Sequence, residues 1–149
     1  MTVEIIAFIY SQAINVFETL LWVKGFWKLR DVSETWKGVK KIPRDAYHFF
    51  LAIAYVLPFI VTFNFLEVAK GSILVWLLND LTWHFWSVHP SSWFKWIKDY
   101  FNPRSTITLW YARLLFARVR VTPKLMFWIT ITRIILLIVL QFIETLAQV

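Results

Sequence analysis

Residues 46–66 read AYHFFLAIAYVLPFIVTFNFL, a run without one lysine, arginine, aspartate or glutamate. At about 1.5 Å per residue, a helix of that length reaches about 30 Å, the thickness of a bilayer's hydrocarbon core. Pro58, the run's only proline, is tolerated in membrane helices where neighbours satisfy the freed carbonyl, and it predicts a kink. The run therefore predicts a transmembrane helix, and its neighbours on both sides are read against it.

Before it lies a polar segment, 24–45, with Lys24, Lys28, Arg30, Lys37, Lys40, Lys41 and Arg44. Its Trp27 and Trp36 suit a headgroup interface, and part of it can form a surface helix ending before Pro43. Earlier still, 3–23 is apolar except for Glu4 and for Gln12, Asn15 and Glu18, which follow one another at intervals of three. That spacing predicts a helix with a polar stripe turned toward partners. With Glu4 at its start and no small-residue cleavage site, it is not read as a signal peptide.

After it, Glu67–Gly71 predicts a tight connection and 72–88 a short third span, polar at its middle through Asn79, Asp80 and His84. Pro90 ends that span. The next segment, 89–124, predicts two amphipathic helices lying in the interface. In the first, Trp93, Phe94, Ile97 and Phe101 share one face, opposite Lys95, Lys98 and Asp99. In the second, Ile107, Trp110, Tyr111, Leu114 and Leu115 follow helical spacing. A final span, 125–147, is apolar apart from Arg133, Gln141 and Glu144.

The expected fold is thus an all-α integral membrane protein in one domain. It is a four-transmembrane-helix bundle, with one or two interfacial amphipathic helices on the cytoplasmic side. Of the chain's sixteen lysines and arginines, seven lie in 24–45 and seven in 89–124. Four spans put both segments on one side, and the positive-inside rule makes that side cytoplasmic, with both termini outside a cell (inner) membrane. Composition agrees: 59% of the 149 residues are hydrophobic and 17% charged, with ten tryptophans, a mean hydropathy of +0.59, and more apolar surface than one small soluble core buries.

The net charge of +7 is gathered at span ends, which suits anionic lipid headgroups better than nucleic acid. The absence of cysteine excludes disulfides, thiolate catalysis and cysteine-ligated metal centres. No glycine-rich nucleotide loop, Gly-x-Ser-x-Gly elbow or His-Glu-x-x-His motif occurs, so enzymatic activity is not expected. Trp83, Trp86, Trp93 and Trp96 read as an interfacial aromatic belt rather than a ligand cage.

The residues with chemistry to offer are the ionisable ones at membrane depth, which are costly there and therefore paired or functional. Glu18, Asn79, Asp80, His84 and Arg133 all fall in the cytoplasmic half of the expected bundle. Asp80 and His84, four apart, share a helix face. Arg133 can compensate Glu18 or Asp80. The group reads either as a structural ion-pair network or as a site for a cation, proton or polar solute, and a metal there is left unspecified. His48, His84 and His89 lie near one end and offer candidate ligands for a b-type haem, the only cofactor considered.

Three functions follow in order. The first is a non-catalytic subunit or scaffold of a larger membrane assembly, with the bilayer and other membrane subunits or a homo-oligomer as partners. The second is an oligomeric transporter or channel. The third is a haem-binding membrane anchor.

Overall fold

A computed structural model of the chain describes residues 2–35, 47–62, 64–114 and 117–147. The protein is mostly helical, and two of its helical stretches, Val3–Val23 and Pro123–Ala147, are long and apolar enough to cross a membrane.

Helix α1, Val3–Glu18, runs on into a π-helical turn, Thr19–Val23, so the expected first span is helical throughout. It ends where Lys24 adopts a left-handed conformation and Gly25 takes φ 141°, a value that side-chain-bearing residues rarely reach. A short helix, α2 (Val32–Thr35), follows. Its start is tied by the Asp31 carboxylate, which accepts from the Ser33 hydroxyl at 2.5 Å and the Glu34 amide at 3.0 Å. The surface helix expected before Pro43 lies outside the described residues.

Helix α3, Tyr47–Ile60, contains Pro58 and is shorter than the predicted 46–66 run. Helix α4, Phe65–Ser87, is longer than the predicted 72–88 and starts seven residues earlier. The expected connection Glu67–Gly71 is therefore helical. Asn64 caps α4, its side chain accepting from the Leu66 and Glu67 amides.

The far end of α4 is finished by chain from elsewhere. The segment after α1 lies alongside it, with Trp27 N–H donating to Trp86 O at 3.0 Å and Leu29 N–H to Ser87 O at 3.1 Å. His89 N–H returns a bond to Leu29 O at 2.9 Å. These contacts occupy carbonyls that a helix C-terminus otherwise leaves without partners.

After a 3₁₀ turn at Pro90–Ser92 comes α5, Trp93–Tyr100, at the predicted place but turned differently. Trp96 and Tyr100 are buried, whereas Phe94 is 90% exposed. The second expected amphipathic helix is instead an antiparallel hairpin, β1 (Trp110–Leu114) with β2 (Ala117–Val121), registered from Trp110 opposite Val121 to Leu114 opposite Ala117. The Leu109 amide extends the ladder to Val121 O at 2.9 Å. Ala117-Arg-Val-Arg-Val alternates with period two and is rich in β-branched residues, which suits a half-buried strand better than a helix. Helix α6, Pro123–Ala147, begins with proline at its first position and Thr122 accepting from the Leu125 amide.

Helix α4 is the centre of the molecule, packed against α1, α3 and α6. Two apolar clusters stand toward its ends. Ala7, Tyr55, Phe59 and Val75 form one. Val32, Val88, Trp96, Tyr100, Leu109, Val121 and Met126 form the other, with Trp83 and Trp93 packed on it. Those tryptophans are therefore parts of a core rather than of a belt.

Candidate functional site: a buried polar layer around α4

Between the two apolar clusters, α1 and α4 face each other through polar side chains. The stripe predicted from the spacing of three is turned inward onto α4. Gln12 Nε2 and Asn15 Nδ2 each donate to Thr82 Oγ1 at 2.8 Å, and that hydroxyl donates to Leu78 O at 2.6 Å. One hydroxyl thus uses both lone pairs and its hydrogen. Trp86 Nε1 donates to Gln12 Oε1 at 2.9 Å, and the Thr19 and Ser87 hydroxyls meet at 2.6 Å.

Asn79 is the hub. Its Nδ2 donates to Asn15 Oδ1 at 2.6 Å and to Glu18 Oε2 at 2.8 Å, while its Oδ1 accepts from Tyr55 OH at 2.6 Å. Tyr47 OH donates to Glu18 Oε1 at 2.5 Å, which ties α3 to the same carboxylate. Three helices are therefore joined through one amide and one carboxylate.

Asp80 points to the fourth. Arg133 of α6 donates Nη1 to Asp80 Oδ2 at 2.5 Å. The guanidinium carbon also lies 3.7 Å from the centroid of the Trp76 ring, a cation–π contact. Side-chain exposures of 4% for Arg133 and 17% for Asp80 make this a buried pair.

The spacing of four predicts His84 beside Asp80, yet the carboxylate goes to Arg133. The imidazole stacks on Trp96 at 5.8 Å, with Phe85 and Trp93 around it. It is 1% exposed, and neither ring nitrogen has a hydrogen-bond partner of good geometry among the described residues, the Leu81 backbone approaching without reaching one. The other two histidines sit in different settings. His48 stacks on Trp110 at 6.2 Å, and His89 caps the 3₁₀ turn through Ser91. Among the described residues no group of three or more His, Asp or Glu side chains could hold a metal ion.

At the other end of α4, Lys70 makes a second charged junction. Its ammonium lies 2.7 Å from Glu144 Oε2, 3.0 Å from Glu4 Oε1 and 3.2 Å from Gln141 Oε1. One cation thereby holds α1, α4 and α6 together.

The structure thus joins Glu18 with Asn79, and Asp80 with Arg133, and leaves His84 in an aromatic setting. Sequence reasoning missed Tyr47, Tyr55, Thr82 and Lys70 as members of the polar system. Of these only Lys70, a charge, carried a signal. No known protein family, curated protein or solved structure matches this chain.

Proposed function

We propose that the chain is a multi-pass integral membrane protein in which α1, α3, α4 and α6 cross the bilayer, with the α5 and hairpin end in the cytoplasm. We further propose that it serves as a non-catalytic subunit or scaffold of a larger membrane assembly. The membrane part is supported by what the long helices leave uncovered. Only 22% of the most apolar stretch of Val3–Val23, and 17% of that of Pro123–Ala147, is buried inside the molecule. A core helix of a soluble domain is mostly covered, and lipid is the solvent that suits an apolar helix left open.

The orientation is supported by one end of the molecule, where exposed Trp22, Trp27, Phe94 and Trp128 stand among exposed Lys24, Lys28, Lys95 and Lys124. Aromatic rings beside lysines suit the headgroup layer, and the lysines suit anionic lipid on the cytoplasmic side. Helix α3, at 14 residues, reaches about 21 Å at the usual rise. Flanking residues and local thinning accommodate such a short span.

The scaffold reading rests on one observation. Glu18, Asn15, Tyr47 and Asn79 are engaged with one another, and Asp80 with Arg133, across α1, α3, α4 and α6, which fastens helices and leaves apolar outer faces for lipid or neighbouring subunits. Transport is the second reading, favoured by His84, a buried imidazole whose ring nitrogens have no hydrogen-bond partner of good geometry among the described residues.

The deciding experiment is carbonate extraction of native membranes, then mild-detergent purification, an absorbance spectrum and mass spectrometry. Retention in the membrane with stoichiometric partner chains is the expected result. Release by carbonate overturns the membrane reading. A colourless homo-oligomer that carries solute flux in liposomes replaces the scaffold with a transporter, and a Soret band replaces it with a haem protein.

A further inference from the structure

Residues 100–143 contain no aspartate or glutamate, yet Arg104, Arg113, Arg118, Arg120 and Lys124 fall among them. The fold gathers these five cations at the hairpin. Lys124 N–H donates to Ser105 O at 3.1 Å, which brings the start of α6 beside Arg104, and the Arg120 guanidinium donates to Thr106 O. The strand register sets Tyr111 opposite Arg120 and Arg113 opposite Arg118. Opposed residues share a face and faces alternate along a strand, so these four belong to one face of the hairpin. Trp110, Ala112, Val119 and Val121 belong to the other, which is the packed one: Val121 is buried in an apolar cluster, with Trp110 and Ala112 against it. On the first face Tyr111 and Arg120 are exposed, and so are Arg104 and Lys124 at its margin.

Two arginines set opposite each other weaken a hairpin, because like charges at directly opposed positions repel. A phosphate between them reverses that sign, and guanidinium forks match its oxygens in pairs. The neighbours indicate what carries the phosphate. Ile107, next to Thr106, is exposed, and so are Phe94 and Trp128, on the two helices that share the hairpin's apolar cluster. A nucleic-acid backbone gains nothing from an isoleucine or a phenylalanine among the cations. A bilayer surface, where phosphates lie just above acyl chains, suits both.

We propose that the outer face of the hairpin, with Arg104 and Lys124, is a docking surface for anionic phospholipid headgroups, whose phosphates hold β1 and β2 together across the Arg113–Arg118 position. The proposal rests on the membrane reading, which places the hairpin end beside headgroups. It adds which element recognises the lipid, and it makes the stability of that element depend on the lipid's charge.

For the test, the full chain is reconstituted into vesicles of phosphatidylcholine alone and of equimolar phosphatidylcholine and phosphatidylglycerol, and backbone hydrogen exchange is followed across β1 and β2. In the anionic vesicles the strand amides are expected to exchange about fivefold more slowly, the effect of relieving one opposed like-charge pair. High salt is expected to reduce that gain. With Arg113→Gln and Arg118→Gln together, exchange is expected to be equal in the two vesicles. The proposal is overturned if wild-type exchange is the same in both, or if the double variant keeps the full response. Equal slowing in phosphatidylcholine vesicles on adding inorganic phosphate or a single-stranded oligonucleotide overturns lipid as the occupant. Should the double variant fail to fold, Arg104→Gln with Lys124→Gln, outside the strands, is expected to weaken the response, and an undiminished response overturns the proposal. Carbonate extraction of the vesicles tests the membrane reading separately. If it strips the protein, that reading fails, and the same comparison with vesicles added to the soluble chain still decides the hairpin.

Discussion

Replacing Asp80 with asparagine leaves the Arg133 guanidinium buried with Trp76 as its main electrostatic partner. Breaking one side of a buried pair strands a charge, so Asp80→Asn is expected to lower stability by about 3–5 kcal/mol. The double replacement Asp80→Leu with Arg133→Met is expected to recover most of that loss, because removing both charges removes both desolvation penalties. Reversible unfolding of the two variants and the wild type in mixed micelles measures the difference; equal loss in single and double variants would contradict it. A smaller effect belongs to Asp31. The Ser33 hydroxyl, with the Glu34 and Ser33 amides, holds its carboxyl below the usual carboxylate range. Its contribution is therefore present above the unfolded-state value and lost as the pH falls through the folded one. Asp31→Ala is expected to flatten the acid side of the stability–pH profile of the α1–α2 connection, read by hydrogen exchange. Glu18, Asp80 and Arg133 were legible in the sequence because an ionisable residue in an apolar run stands out. Tyr47 and Thr82 were not, since a hydroxyl fits an apolar pattern and shows its use only when a partner helix arrives. His84 was expected beside Asp80; it packs instead on Trp93 and Trp96 of α5 while Asp80 pairs with Arg133 of α6, since four residues advance a helix beyond a full turn.

At the scale of elements, α3 and α4 approach each other closely at Gly71. A methyl group there meets the Phe59 ring at 2.6 Å, so Gly71→Ala is expected to destabilise by about 1–3 kcal/mol through overpacking. Adding Phe59→Leu is expected to return part of the loss, and an unchanged unfolding curve for Gly71→Ala would show that the helices do not meet here. The hairpin makes its own prediction. The Leu109 amide, bonded to Val121 O, is expected to exchange slowly with solvent deuterium, as in a strand ladder; rapid exchange there would remove the hairpin. This segment was misread because its apolar residues satisfy helical spacing over a short window, while the alternation in 117–121 was the better guide. The start of α4 was misread because Lys70 looked like a loop residue. A lysine is accommodated inside that helix when two glutamates from other helices reach it.

For the whole molecule, the lack of cysteine makes sidedness directly measurable. Single cysteines at Lys95 and Glu67 are expected to be modified by an impermeant thiol reagent from opposite faces of the membrane, Glu67 from outside intact cells. Labelling of Lys95→Cys from outside would invert the topology. The helical class and two long apolar helices were legible from hydropathy alone, because length and composition carry that information. Which helix packs on which was not, since the bonds that decide it join residues far apart. Gln12 reaches Trp86 across 74 positions, Asn15 reaches Thr82 across 67 and Glu18 reaches Asn79 across 61. That separation matters during biosynthesis. At about 5–20 residues per second, a ribosome takes several seconds to make the stretch between these partners. Throughout that interval the amides and carboxylate of α1 are without these α4 partners. The order of synthesis, as much as the final packing, is therefore a condition of assembly: α1 has to wait for α4.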